Sequence, residues 1–280
     1  MTLLGSMLLA QDDSSEDVAF YADVMINAEK AKHRITAAKK FEALLSEVLA
    51  EENSFNNSLD DLPFIFVRYP DDRSFRTITW QLDKGGDRYE YDGLIQLADN
   101  STISMAGKRG RAALDPIGSI GWSQWKGGLI YKILTTGTGA NANNYLLTYR
   151  QLNQYTKAKT VEHIAITDDK ITLAGTPVFS NPESTQPANR LVLQYSADSN
   201  CSIRYQVDNQ QLVYDNLVGA VGRITGQGPT YIPDGSYKAY VLQHDGSWEY
   251  VDKLFKETFA TPPRGGISTS GKDILGRGKN

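Results

Sequence analysis

The chain is poor in the residues that carry most enzyme chemistry. Its 280 residues include one cysteine, Cys201, and three histidines, His33, His163 and His244. A single cysteine excludes an internal disulfide. A thiol nucleophile wants a histidine nearby, and the Asn200–Gln206 stretch around Cys201 has none. Cys201 opens an alternating strand pattern and reads as a small core residue. No two histidines share metal-ligand spacing, so neither a zinc site nor any other metal or cofactor is expected. Gly-x-Ser-x-Gly, P-loop and dinucleotide fingerprints are missing, and Gly137-Thr-Gly139 reads as a flexible loop.

Basic excess is lacking too. Twenty-nine Lys and Arg stand against 33 Asp and Glu, a formal charge of -4, so a nucleic-acid partner is not expected. Past residue 11 no stretch approaches the ~20 consecutive apolar residues that span a bilayer, so the chain is not expected to cross one. With 40% hydrophobic residues it can bury a sizeable core, and a single domain over residues 14–257 is expected.

Residues 1–11 are the longest apolar run, and they stop against Asp12-Asp-Ser-Ser-Glu-Asp17. The length suits a signal core and Ala10 offers a small cleavage residue, although the positively charged start of such signals is missing. We read the run as the remnant of an export signal behind a start codon placed too late. An exported, periplasmic or outer-membrane-associated protein is then expected. No cysteine follows the run, so nothing supports a lipid anchor there.

Between residues 14 and 52 the period is helical. Val18, Tyr21, Ala22, Met25 and Ile26 recur at three and four residues, as do Phe41, Leu44, Leu45, Val48 and Leu49. Ser14 or Ser15 can cap the first helix, with Glu16 and Asp17 at its positive end. The all-polar Asn27–Arg34 stretch marks a break, so a helical pair is expected. From residue 63 to 255, segments rich in Ile, Val, Tyr and Thr alternate with turn residues at the ~8–12-residue spacing of all-β chains. Twelve strands are expected, running from Phe64–Tyr69 to Ser247–Val251. Asp168-Asp169 and His244-Asp-Gly246 are hairpin-turn chemistry. With no helices between strands, a parallel sheet is not expected. The fold class is therefore α+β, mostly β: a helical pair packed on an antiparallel meander, as a sandwich or an incomplete barrel. Residues 261–280, Gly-rich and basic, read as a disordered tail.

The order of motifs resembles an uncharacterised family of exported proteins from Bacteroidetes. The likeness rests on Tyr21-Ala-Asp-Val-Met-Ile-Asn-Ala28, Phe55, Tyr69-Pro-Asp-Asp-Arg-Ser-Phe75 running on to Leu82, and Arg88-Tyr-Glu-Tyr-Asp-Gly93. It continues through Tyr131–Leu134, Tyr145–Thr148, Gly175–Phe179, Arg190–Ser196, Ser202–Tyr205, Val213–Leu217, Pro233–Tyr237 and Trp248–Val251, covering roughly residues 18–255. The resemblance implies an envelope location and no assigned activity, and it supplies no catalytic residues. One departure is Leu147-Thr-Tyr-Arg-Gln151, where relatives often read Leu-Gly-Trp-Asp-Gly; an Asp-Gly turn is missing here.

The candidate site residues are carboxylates and tryptophans. Paired carboxylates can do acid–base or glycosidic work without histidine, and Asp71, Asp72, Asp92 and Asp234 are the candidates. Pro70-Asp-Asp-Arg73 and Pro233-Asp-Gly-Ser236 are equally good turn formers, and a loose metal site at Asp71, Asp72 or Asp234 is the other reading. Trp122 and Trp125, three apart on a Gly-flanked stretch, could clamp a sugar or peptide, or pin a loop by packing. Two functions are therefore expected in alternation. One is a non-catalytic interaction or accessory module that binds an envelope protein. The other is a carrier that holds an apolar small molecule such as a lipid in a curved sheet lidded by the helices. Inward positions packed with Trp, Tyr and Leu support the first, and a continuous apolar cavity the second.

Overall fold

The computed structural model describes residues 4–60, 62, 64–104, 114–121, 125, 127–167 and 170–252, without the side chains of 4–15, 120, 121 and 140. The expected tail over 261–280 and the Asp168-Asp169 turn lie outside the described residues. Two helices come first, α1 (Leu4–Asn27) and α2 (Ala31–Leu49). The break between them is where the all-polar stretch places it. Arg34 explains its geometry: Nη1 donates to the carbonyls of Ala28 (2.8 Å) and Glu29 (2.9 Å), and Nε donates to the carbonyl of Asp83 (2.7 Å). The expected cap at Ser14 or Ser15 is not where α1 begins, since the helix runs back to Leu4 and both serines lie within it. The apolar run ahead of them has helical propensity of its own, Leu, Met and Ala being good helix formers.

Among the described residues fifteen strands follow, in three sheets. The first sheet holds β1 (Phe66–Arg68), β2 (Phe75–Asp83), β3 (Tyr89–Leu97) and β4 (Thr102–Ser104) in chain order, all antiparallel. The second runs in the order β5 (Ile120–Gly121), β9 (Lys170–Leu173), β8 (Thr156–Thr167), β7 (Asn143–Asn153) and β6 (Leu129–Thr136). Beside β9, the same edge of β8 also carries β11 (Arg190–Ser196). The third sheet runs β10 (Phe179–Ser180), β15 (Trp248–Val251), β14 (Pro229–Leu242), β13 (Gln211–Val221) and β12 (Ile203–Gln206).

Two corrections to the sequence reading follow. β10 pairs with β15 in parallel, Phe179 opposite Trp248, so one short parallel pair exists; the strands between them, rather than a helix, supply the crossover. Pro233-Asp-Gly-Ser236 is not a chain reversal but lies inside β14. There the register passes from Asp215 opposite Tyr237 to Leu217 opposite Pro233, so Asn216 faces three residues across a bulge. The Leu147–Gln151 segment, which has no Asp-Gly turn, lies wholly within β7.

The sheets stack because each strand alternates its faces. On β2, Ile78, Trp80 and Leu82 pack with α1 and α2 residues such as Ala22, Met25, Phe41 and Leu45. Phe41 meets the Trp80 ring edge-on at 5.0 Å. Phe75 and Ile95 point to the opposite face and pack with Ile130, Leu146 and Ile164 of the second sheet. Leu147, Val161 and Leu193 face the other way and meet Tyr214, Tyr240 and Trp248 of the third. The order of layers is helices, first sheet, second sheet, third sheet, with no closed barrel. Gly127 is required where the chain enters β6: it sits at φ 77°, and a Cβ there would lie 2.6 Å from that of Tyr91.

Candidate binding groove

The β13–β14 pair outruns its sheet. Beyond the bulge, Leu217–Val221 pair only with Pro229–Pro233, forming a two-stranded arm that leaves β12 and β15 behind. Both prolines sit in this arm, where no third strand needs their missing N–H. Gln227 fastens its tip: Nε2 donates to the Tyr155 carbonyl (2.7 Å) and to Ser196 Oγ (2.9 Å). Asp234 secures its base, accepting from Asn216 Nδ2 (2.8 Å) and from the N–H and hydroxyl of Ser236.

Between this arm and β11 lies an open groove of about 800 Å³, larger than the cavities of about 530 Å³ beside Gln243–Gly246 and His163–Thr167. Its floor includes β11 from Arg190 to Tyr195, and its far wall is made by Asp215–Leu217, Pro229–Tyr231 and Lys238. Tyr214, Tyr240 and Phe179 close the depth of it and belong to the core. Burial raises the hydroxyl pKa of Tyr195, Tyr214 and Tyr240, so the aromatic wall stays uncharged at physiological pH. Lys238 is held charged by its hydrogen bond with the Tyr250 hydroxyl.

The six residues singled out from sequence do not converge; Asp92 lies on β3 opposite Trp80, where its Oδ1 accepts from Gly93 N (2.9 Å). Trp122 lies outside the described residues. Trp125 is in the core, 1% exposed, between the first and second sheets, where its indole N–H donates to Glu162 Oε2 at 2.9 Å. Asp71 and Asp72 form the exposed turn before β2: Arg73 N donates to the Pro70 carbonyl, and Asp72 Oδ1 accepts from the Ser74 N–H (3.0 Å) and hydroxyl (2.8 Å). Asp234 touches the groove only through Asn216. The same Asp-x-Ser clasp recurs at Asp99–Ser101 and Asp245–Ser247, and in all four the Ser donates N–H and hydroxyl to the Asp. These carboxylates are turn fasteners.

The described residues hold no cluster of three His, Cys, Asp or Glu able to bind a metal ion. His33 and His244 are exposed, and His163 packs on the Tyr145 ring, its pKa lowered by burial. Cys201 is buried, and desolvation pushes its thiol up to about 12, which removes the thiolate that reactivity needs. No described helix is long and apolar enough to cross a membrane. The groove went unnoticed in the sequence, because Arg190–Ser196 announces a strand but not that one edge of it stays open. No family model, curated protein or solved structure matches the chain.

Proposed function

We propose that the protein is a non-catalytic binding module of the cell envelope, and that the groove between β11 and the β13–β14 arm is its binding surface. The observation that carries this reading is the groove itself: an open, aromatic-walled concavity with a fastened arm. Export remains part of the proposal and rests on residues 1–11 and the resemblance to an envelope family. The carrier reading draws no support from the geometry, because beneath the helices Ile78, Trp80 and Leu82 pack directly against Met25, Phe41 and Leu45, with the Phe41 and Trp80 rings 5.0 Å apart.

Purification from the native envelope fraction, followed by mass spectrometry of co-purifying proteins and extracted small molecules, tests the proposal. The expected result is a stoichiometric protein partner that is lost when the exposed Tyr231 is changed to Arg. A stoichiometric lipid, or a partner that survives Tyr231→Arg, overturns it. Recovery of the protein only from the cytosol overturns the export part.

A further inference from the structure

Building on the binding-module reading, we infer that the groove takes an extended peptide, which adds as a strand to the free edge of β11. The orientation of the β11 main chain carries the inference. In β8, the His163 carbonyl accepts from Ala174 N (2.8 Å) on the edge that β9 and β11 share. Just before β8, the Tyr155 carbonyl accepts from Ala197 N (2.9 Å) on that same edge. Odd-numbered residues of β8 thus turn their main-chain groups toward β11. In the pairing, Leu191 lies opposite Val161, Leu193 opposite Lys159 and Tyr195 opposite Lys157. Leu191, Leu193 and Tyr195 therefore bond inward, and Arg190, Val192, Gln194 and Ser196 turn their N–H groups outward. Arg190 confirms the phase independently, since its N–H reaches away from β8 to the Pro116 carbonyl at 3.2 Å.

The outward groups are used at both ends and free between. Pro116 occupies the Arg190 end, and the Ser196 carbonyl accepts from Ser199 N (3.0 Å). Val192 and Gln194 have neither a main-chain nor a side-chain partner on that edge among the described residues, and both line the groove. Two donors and two acceptors, repeating every second residue at about 6.6–6.8 Å, match a peptide main chain. A lipid tail offers no such groups, and a sugar does not repeat them at that spacing. With the outward groups taken at Arg190 and at Ser196, the added strand is limited to about three to five residues along β11. An unpaired edge invites unselected pairing; here the fastened arm and the Pro116 segment restrict it to a short strand that fits between them.

The test uses the full chain and an array of capped hexapeptides in which Val, Thr or Tyr alternates with Ser, Lys or Glu. In the free protein the amides of Val192 and Gln194 should exchange with solvent fast, and those of Leu191, Leu193 and Tyr195 slowly. A bound hexapeptide should protect Val192 and Gln194, and N-methylation of the peptide at every second residue should weaken it about tenfold, the equivalent of one lost hydrogen bond. Gln194→Pro, which removes an outward N–H on an edge strand, should weaken binding while leaving the exchange of Leu191 and Leu193 slow. Binders that protect neither amide, or that tolerate N-methylation at all positions, overturn strand addition while leaving the groove a binding surface. Absence of any binder in the array, with a native partner still lost in Tyr231→Arg, overturns strand addition alone. A native partner indifferent to Tyr231→Arg overturns the binding-module reading and this inference with it.

Discussion

Arg76 and Arg150 are both taken out of water, on the facing sheets of one molecule, and they are provided for in opposite ways. Arg76, on the helix-facing side of β2, has every branch of its guanidinium engaged. Nε donates to Gln96 Oε1 (2.7 Å), Nη1 to the Asn57 carbonyl (2.8 Å) and the Tyr69 hydroxyl (2.9 Å), and Nη2 to the Ser54 carbonyl (2.9 Å). Gln96 in turn donates to the Leu49 carbonyl and Ser54 Oγ. This network satisfies the last turn of α2 and the following 3-10 turn, and it docks the helices on the sheet. Arg150, on β7, faces the first sheet, its Nε and Nη2 without a hydrogen-bond partner among the described residues, above the Trp125 ring at 5.7 Å. Glu162, the carboxylate that offsets its charge among the described residues, also stands 2.9 Å from Arg190 Nε and accepts the Trp125 indole N–H. Burial, and the nearby Arg190 charge, lower the Arg150 pKa, while Glu162 opposes the shift. Hydrogen bonds, with the Phe55 and Tyr69 rings beside them, hold the first arginine in place; the second depends on one shared carboxylate.

Glu162→Gln should break that dependence and give the largest effect. Two buried guanidiniums would lose their common counter-charge, a loss of about 3–5 kcal/mol in stability, read as a fall in the urea midpoint. Arg190 would also slacken its hold on the Asp115 and Gly118 carbonyls, next to the Pro116 cap at the end of the groove. A loss under about 1 kcal/mol would show that the cluster is not electrostatically coupled.

Arg76→Met comes next. It keeps much of the volume but leaves the Ser54 and Asn57 carbonyls without their donor, at a cost of about 3 kcal/mol. The same change at Arg150 sharpens the contrast. Arg150→Met removes a desolvated charge with two unmade hydrogen bonds, and it should cost no more than about 1 kcal/mol or stabilise the fold. Equal losses in the two variants, measured by urea unfolding, would end the distinction between a satisfied and an unsatisfied buried arginine.

The sequence shows why one network is easier to read than the other. Alternation in Thr77–Leu82 identifies the Ile78, Trp80 and Leu82 face, and the helical period identifies Phe41 and Leu45 as its partners, so the helix–sheet layer follows from local pattern. In Thr160-Val-Glu-His-Ile164, by contrast, Thr160 and Glu162 form a polar pair on the face that also carries Ile164, so neither face reads as clean core. Such a polar pair reads as solvent-exposed, and only the stacking of the first sheet over it turns Glu162 and Arg150 into buried charges. Trp125 went the same way, its destination set by a carboxylate 37 positions on. The open edge of β11 is a property of register, which no residue in Arg190–Ser196 encodes by itself. The Asp-x-Ser clasps were legible as turn chemistry, but Asp234–Ser236 makes a bulge within a strand because Asn216 stands across from it.

Acid should act on these two regions less than on the groups that titrate near them, and this is the smallest of the expected effects. Asp99, Asp234 and Asp245 have pKa values lowered by the serine hydroxyl and N–H they accept. A lowered carboxylate contributes stability above its unfolded value, about 3.9, and loses it as pH falls toward the folded one. His163 follows the same sign for a different reason: burial favours its neutral form, so protonation below about 6.5 works against the fold. The urea midpoint should therefore decline in two stages on acidification, an upper one from His163 and a lower one from the clasps. His163→Gln should flatten the upper stage alone, and Asp245→Asn should shrink the lower one without touching the upper. If His163→Gln left the upper stage intact, the buried imidazole would not be its source, and the assignment of that stage to His163 would fall.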